Sequence, residues 1–333
     1  MDYIGSVLLG QPAYKILKSQ AVRGSLSHAV LVTGDTMLTG EFLKLAAATA
    51  LCPNFGCMEC SDCRRALGGT HPDVLSYPQG EKFAVSDIEK LIEDAYVRPM
   101  EGDRKVLLLH GCESMNASTQ NKLLKTLEEP PRGVHMFLSA ANLYDLLPTV
   151  RSRLRLLELR ALSPEVISGV LERGGADRES AARAAALCGG SLDLAEQLST
   201  KKGAGCAGLC AEILERLKDE GGTAYYAGEA AQYSGGYSRT FLAAMQQQLR
   251  VLLRLKNRLD VPGFTDAQKK EYDRTLNQFT NRAIIEIISY TGECALGLHY
   301  NANFGMTVDG LLLKILSAKR GAARSAANTA SAL

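Results

Sequence analysis

Residues 105–140 read KVLLLHGCESMNASTQNKLLKTLEEPPRGVHMFLSA, and this stretch decides the fold class. The apolar run at 105–110 predicts a strand that is buried on both faces, as in a parallel sheet. A helix is predicted from about residue 118 to 129, because Pro130 and Pro131 cannot continue its hydrogen-bond ladder. Residues 134–140 predict the next strand. A strand, a helix and a strand in this order indicate a parallel α/β sheet with right-handed crossovers.

The same alternation extends towards the N-terminus. Residues 28–33 predict a buried strand, and residues 41–52 have the apolar period of a helix. Ser86 and Glu89 have the spacing of a capping box at the start of a further helix. Parallel sheets place their ligand sites at the C-terminal ends of the strands, so we expect chemistry at that edge.

Beyond residue 159 the strand patterns end, which divides the chain into predicted domains. Residues 1–160 form the α/β domain, and residues 161–205 predict a small helical domain of short Ala-rich helices. A glycine-rich hinge is predicted around residues 201–208, before an all-helical domain at 206–318. Residues 319–333 lack periodicity and predict a disordered tail.

Composition restricts the classes of function. The formal net charge of +2 is too balanced for a protein that coats nucleic acid by charge alone. No stretch approaches the ~18 to 20 apolar residues that span a bilayer, so no membrane partner is expected. The first residues lack the pattern of a signal peptide, which predicts a cytoplasmic protein with reduced cysteines and disfavours a disulfide framework.

Four cysteines lie close together in the sequence, at Cys52, Cys57, Cys60 and Cys63. Two consecutive CxxC steps let the four thiols converge on one tetrahedral ion, and all-cysteine ligation leaves no open position. The pattern therefore predicts a structural Zn²⁺ site. An iron–sulfur cluster is an alternative, although no Cys-Pro follows at the ferredoxin spacing. Chance packing of thiols is the other alternative.

The turn after the first predicted strand lies where a phosphate-binding loop would lie. Gly34 and Gly40 bracket this turn, but Glu41 stands where a phosphate-binding lysine is required after the second glycine. His110, followed by Gly111, replaces the Walker-B aspartate at the end of the 105–109 strand. These two losses predict that the chain neither binds nor hydrolyses ATP. An ordinary strand-to-helix turn is the alternative interpretation.

Two arginines, Arg151 and Arg153, precede a short apolar strand. A guanidinium is always charged and planar, so Arg153 is a candidate arginine finger for the phosphoryl group of a neighbouring subunit. The alternative is that both arginines are solvated surface charges.

Together, these segments resemble the delta-prime family of bacterial DNA polymerase III clamp-loader subunits, within the AAA+ superfamily. The segments that carry the resemblance are Gly10-Gln11-Pro12, Ser27-His28-Ala29, the cysteine cluster, residues 105–115, residues 121–131 and residues 147–153. The resemblance also covers Asn301-Ala302-Asn303 before Leu311, as in the family's collar domain.

The resemblance implies an AAA+ α/β domain with a zinc-module insertion, a helical lid and a helical collar for oligomerisation. It also implies a hetero-pentamer with the tau/gamma motor subunits and the delta subunit, which loads the sliding clamp onto primed DNA. Within it, this chain would be catalytically silent and would offer Arg153 in trans. An active AAA+ ATPase and a zinc-dependent DNA-binding or scaffold protein are the alternatives.

Three departures separate this chain from the family pattern. Leu154 replaces the cysteine of the family's Ser-Arg-Cys motif, and the gap between Cys52 and Cys57 is shorter than in relatives. Asp193 stands where the sensor-two helix of an ATPase would place arginine. This would be a third loss of nucleotide chemistry.

Overall fold

The computed structural model describes residues 3–78, 80 and 82–330, apart from the side chains of residues 299 and 323–330. The chain divides after Ala161 into two compact units. The first unit contains every strand of the sheet, and the second is built from helices. Among the described residues, none of the helices is apolar over a length that could cross a membrane.

The first unit is organised around a five-stranded sheet in the order β2-β3-β4-β1-β5, with every neighbouring pair parallel. The strands are β1 (Ala29–Thr33), β2 (Val74–Tyr77), β3 (Lys105–Leu109), β4 (Val134–Ala140) and β5 (Arg155–Glu158). Every residue of β1 and β3 is buried, while β5 is an edge strand with three exposed residues. The predicted parallel sheet is confirmed, but β2 was not identified from the sequence.

In the described part of the first unit, seven α-helices accompany the sheet. They are α1 (Tyr3–Gly10), α2 (Pro12–Val22), α3 (Thr36–Leu51), α4 (Ser61–Leu67), α5 (Val85–Tyr96), α6 (Ala117–Glu128) and α7 (Pro148–Arg151). Successive strand residues point to opposite faces. Leu107 and Leu138 join Ile88 of α5 and Leu123 of α6 in one buried cluster. Helix α3 contacts β1, β3 and β4.

The predicted capping box of α5 is wrong. The helix begins at Val85, so Ser86 is already inside the first turn. The carboxylate of Asp87 instead accepts a hydrogen bond of 2.8 Å from the backbone N–H of Ala84. By contrast, α6 ends at Glu128, before the two prolines, as predicted.

The second unit contains ten helices within the described residues. They are α8 (Pro164–Arg173), α9 (Arg178–Leu187), α10 (Leu192–Ser199), α11 (Lys201–Arg216), α12 (Glu220–Ala231), α13 (Ser238–Lys256), α14 (Asp266–Glu271), α15 (Asp273–Leu276), α16 (Asn281–His299) and α17 (Phe304–Ala330). Ser163 precedes Pro164 at the start of α8.

Two expectations about the second unit are wrong. The predicted hinge at 201–208 is the first half of the continuous helix α11, because Thr200 caps it and buried Gly203, Cys206 and Ala207 pack inward. The predicted lid–collar boundary at 205/206 therefore falls within α11. The predicted disordered tail is helical to Ala330, consistent with the high helix propensity of its many alanines. Residues 331–333 of that prediction lie outside the described residues.

Candidate metal centre and phosphate-loop region

The four predicted ligands converge in space. The Sγ atom of Cys52 lies 3.6 Å from that of Cys57 and 3.7 Å from that of Cys60, and the Sγ atoms of Cys57 and Cys63 are 4.0 Å apart. Four sulfurs bound to one zinc ion at about 2.3 Å in a tetrahedron lie about 3.8 Å apart. The arrangement therefore fits a single tetrahedral ion. All nine cysteines are free thiols in this structure.

Backbone N–H groups surround these sulfurs. The N–H of Asn54 donates to Cys52 Sγ at 3.3 Å, and that of Cys60 donates to Cys57 Sγ at 3.3 Å. Hydrogen bonds from the N–H groups of Glu59 and Cys60 lower the pKa of the Cys57 thiol to about 6. Burial raises the pKa of Cys63. A bound cation would favour the thiolate form of all four ligands.

The loop between the first two ligands is held against α2 and α3. Gly56 has a φ of +83°, and a Cβ at this position would lie 2.8 Å from both Tyr14 Oη and Thr49 Oγ1. At the other end of the loop, an Nη1–H of Arg104 donates to the carbonyl of Ala50 at 2.7 Å, next to Cys52. These contacts fix where the cysteine loop leaves and rejoins the α/β unit.

A second group of potential ligands, Asp62, His71 and Glu101, lies beside the cysteines. Arg65 already neutralises its carboxylates, donating to Asp62 at 2.9 Å and to Glu101 at 2.6 Å. The group is therefore an ion-pair network that connects α4 to the segment before β3, rather than a metal centre.

The turn that resembles a phosphate loop is much shorter than the sequence predicted. Helix α3 begins at Thr36, so Gly40 and Glu41 lie within the helix instead of a loop. The carboxylate of Asp35 accepts hydrogen bonds from the N–H groups of Met37 (3.2 Å) and Leu38 (3.3 Å). Asp35 follows the signature of a helix cap, a short polar side chain before an apolar helix, and could have been identified from the sequence.

Charged and titratable groups surround this turn. Glu41 forms an ion pair of 2.7 Å with Lys44. His110 directly follows β3, and its backbone N–H donates to the carbonyl of Tyr77 at 2.8 Å. Burial, assisted by the charge of Lys44, lowers the pKa of His110. Gly34 has a φ of +142°, and a Cβ there would lie 3.1 Å from the Cβ of Leu159.

Arg153 lies between α7 and the edge strand β5, and its side chain is one-third exposed. Its Nε–H donates to Glu128 Oε1 at 2.8 Å, and an Nη2–H donates to the same oxygen. Arg151 instead places its guanidinium over the ring of Tyr144, 5.3 Å from the centroid. Glu128 could not be identified as the partner of Arg153 from the sequence, because the two residues lie 25 positions apart.

Two departures from the family pattern have clear positions in the structure. Leu154, in place of cysteine, packs partly buried against the core cluster that contains Val150. Asp193 lies in the first turn of α10, where the sequence predicted the start of a helix, and Ser191 caps that helix.

The first half of the chain is similar in sequence to known proteins. The family model described as "DNA polymerase III, delta subunit" matches residues 10–163. The chain is 33% identical over 162 residues to DNA polymerase III subunit delta' of Bacillus subtilis, covering 46% of this chain and 48% of the relative. It is 39% identical over 148 residues to the Yersinia pestis subunit delta', covering 42% and 44%. The matches thus span about half the length of these curated relatives.

A solved structure of a DNA polymerase III gamma subunit-related protein from Thermotoga maritima aligns with a TM-score of 0.47 at 16% identity, covering 91% of this chain and 99% of that chain. The sequence matches show that residues 10–163 are similar to subunits of DNA polymerase III. The two relatives compared are both delta-prime subunits, so this segment resembles that subunit in sequence.

Proposed function

We propose that this chain is a nucleotide-silent AAA+ subunit of a DNA polymerase III clamp loader. It would assemble with tau/gamma motor subunits and a delta subunit in a hetero-pentamer in the cytoplasm. It would offer Arg153 to the ATP site of a neighbouring motor subunit while the sliding clamp is loaded onto primed DNA.

The observation that carries the proposed silence is the capped start of α3. A phosphate at a helix N-terminus is bound by free backbone N–H groups and a nearby lysine. Here the carboxylate of Asp35 accepts from the N–H groups of Met37 and Leu38. Glu41 stands in the lysine position and pairs with Lys44. A triphosphate would therefore meet negative charge where an ATPase provides positive charge.

The position and chemistry of Arg153 support its proposed role in trans. The side chain lies on the surface beside the edge strand β5, where a second subunit can reach it. A guanidinium stays charged at every physiological pH and can bind two phosphate oxygens at once. Such a group stabilises the charge that develops during phosphoryl transfer.

We also propose that the cysteines hold a structural zinc ion. Four sulfurs at the separations described above complete a tetrahedral shell, which leaves no position for substrate or water. The ion would connect the loop after α3 to α4 and stabilise the α/β unit rather than take part in catalysis.

The test is the DNA- and clamp-stimulated ATPase of a loader reconstituted with this chain. Arg153→Ala should lower the rate towards the ~10³-fold loss of a missing finger, diluted by sites that use other arginines. Arg155→Ala, an exposed arginine on β5, is the matched control and should leave the rate unchanged. The isolated chain should neither bind nor hydrolyse ATP.

Two results would contradict the proposal. ATP binding by the isolated chain would favour an active ATPase subunit. An Arg153→Ala loader that assembles and retains the full ATPase rate would make this subunit a scaffold.

A further inference from the structure

Hydrogen bonds within this chain use almost all of the N–H donors of the Arg153 guanidinium. Two of its N–H groups donate to Glu128 Oε1. Its Nη1 donates to the carbonyl of Thr149 at 2.6 Å and to Ser152 Oγ at 3.3 Å. A guanidinium has five N–H donors in a fixed fork, so four of them are engaged and one is left. Arg153 cannot give a phosphate two hydrogen bonds while these contacts persist.

We propose that Glu128 is a positioning residue that withholds Arg153 from phosphate by pairing with its guanidinium. When the trans ATP site forms, a phosphate oxygen replaces the Glu128 carboxylate as the partner of Arg153. This inference rests on the proposed function of Arg153. Carboxylate and phosphate are alternative partners of the same guanidinium fork, so they compete for it. Glu128 would then lower the affinity of the composite site for ATP.

The packing of the two helices keeps Glu128 within reach of Arg153. Leu127, next to Glu128, and Val150, three residues before Arg153, are both buried in the core cluster. The backbone on each side is therefore fixed, and the choice of partner falls to the two side chains. Their exposed fractions are 33% for Arg153 and 48% for Glu128. An ion pair so exposed contributes up to about fivefold to an equilibrium constant, which a doubly charged phosphate can outweigh.

The location of Glu128 also makes it suitable for substitution. It is the last residue of α6, where the helix dipole disfavours a negative charge. Glu128→Gln keeps the side-chain shape, removes that charge and should fold normally. Glu129, the next residue, is also exposed and offers a matched carboxylate as a control.

The experiment measures the ATP concentration for half-maximal ATPase of the reconstituted loader, together with kcat. Glu128→Gln should lower the half-saturating ATP concentration by about two- to fivefold without lowering kcat. The effect should vanish in the Arg153→Ala background, and Glu129→Gln should change neither quantity. Thermal unfolding of each isolated variant checks that the chain is folded.

Different results would overturn the finger role of Arg153 and the withholding role of Glu128. If Arg153→Ala leaves the loader ATPase unchanged, the proposed finger is wrong, and the withheld finger is wrong with it. If Arg153→Ala lowers the ATPase but Glu128→Gln has no effect, or the same effect without Arg153, only the withholding role is overturned. A fall in kcat with Glu128→Gln would also overturn it, because Glu128 would then orient Arg153 for catalysis.

Discussion

The carbonyl oxygen of Gln197 lies 1.9 Å from the position that a Cβ would take at Gly203. This approach brings the end of α10 against the start of α11, where Thr200 caps the new helix. The glycines of this segment therefore do not form a hinge. At position 203 the glycine permits a tight junction between two helices.

Two alanine substitutions in α11 should have opposite effects. Gly203→Ala should destabilise the protein by about 3 kcal/mol or more, because the new methyl group would overlap backbone that cannot move aside. Gly208→Ala meets no atom within 4 Å and should stabilise the helix by about 0.5 to 1 kcal/mol. Urea unfolding of both variants measures the difference. Equal changes in the free energy of unfolding for Gly203→Ala and Gly208→Ala would favour the hinge interpretation again.

Gln11 makes two hydrogen bonds with the backbone of Arg160, one as donor at 3.0 Å and one as acceptor at 3.1 Å. Gln11→Ala should cost about 1 to 3 kcal/mol, because both backbone groups lose their partner. Gln20→Ala is the control: the Oε1 of Gln20 is buried with no hydrogen-bond partner among the described residues. Its removal should cost less, and the reverse order would contradict this account.

The cysteine cluster should contain about one zinc ion per chain. Cys60→Ala should abolish metal binding and lower the thermal stability of the first unit, because the ion stabilises the folded loop. Cys294→Ala, in α16 of the second unit, should keep the metal. Elemental analysis and calorimetry with and without a chelator check both points. Bound iron together with visible absorbance would instead show that the four cysteines hold an iron–sulfur cluster.

Gly56 allows the cysteine loop to approach Tyr14 and Thr49. Gly56→Ala adds a clash at 2.8 Å to the strain of a positive φ, and should both weaken metal retention and destabilise the protein by about 2 to 4 kcal/mol. Gly69 has a positive φ of +68° but open space, so Gly69→Ala should lose only the strain energy. Competition with a metal-binding dye compares the two variants. Equal metal affinity would show that the close approach is unimportant.

Acidification should destabilise the protein through two half-buried histidines, His110 and His135. Burial lowers the pKa of His110 and His135 in the folded state, so the unfolded chain binds protons first as the pH falls. The free energy of unfolding should decrease from about pH 7.5 to about pH 5.5. His110→Gln should reduce that decrease, with little change in slope above pH 7.5. An unchanged pH dependence of the free energy of unfolding would mean that His110 has the same pKa in the folded and unfolded states.

The parallel sheet and the clustering of four cysteines could both be predicted from the sequence. The runs at β1, β3 and β4 are mainly apolar on both faces, which is the pattern of strands buried on both sides. The prolines after Glu128 fixed the end of α6, and the spacing of Cys52, Cys57, Cys60 and Cys63 was sufficient to predict convergent sulfurs. These features depend on local residue chemistry, which the sequence states directly.

Contacts between residues that are distant in the sequence became visible in the folded chain alone. Gly203 was mistaken for part of a hinge, because the carbonyl that it approaches belongs to another helix. The start of α3 depended on the cap formed by Asp35, and the partner of Arg153 lies on α6. Charge–charge and steric contacts of this kind depend on distances in space. The spacing of residues along the chain does not set those distances until the helices have packed.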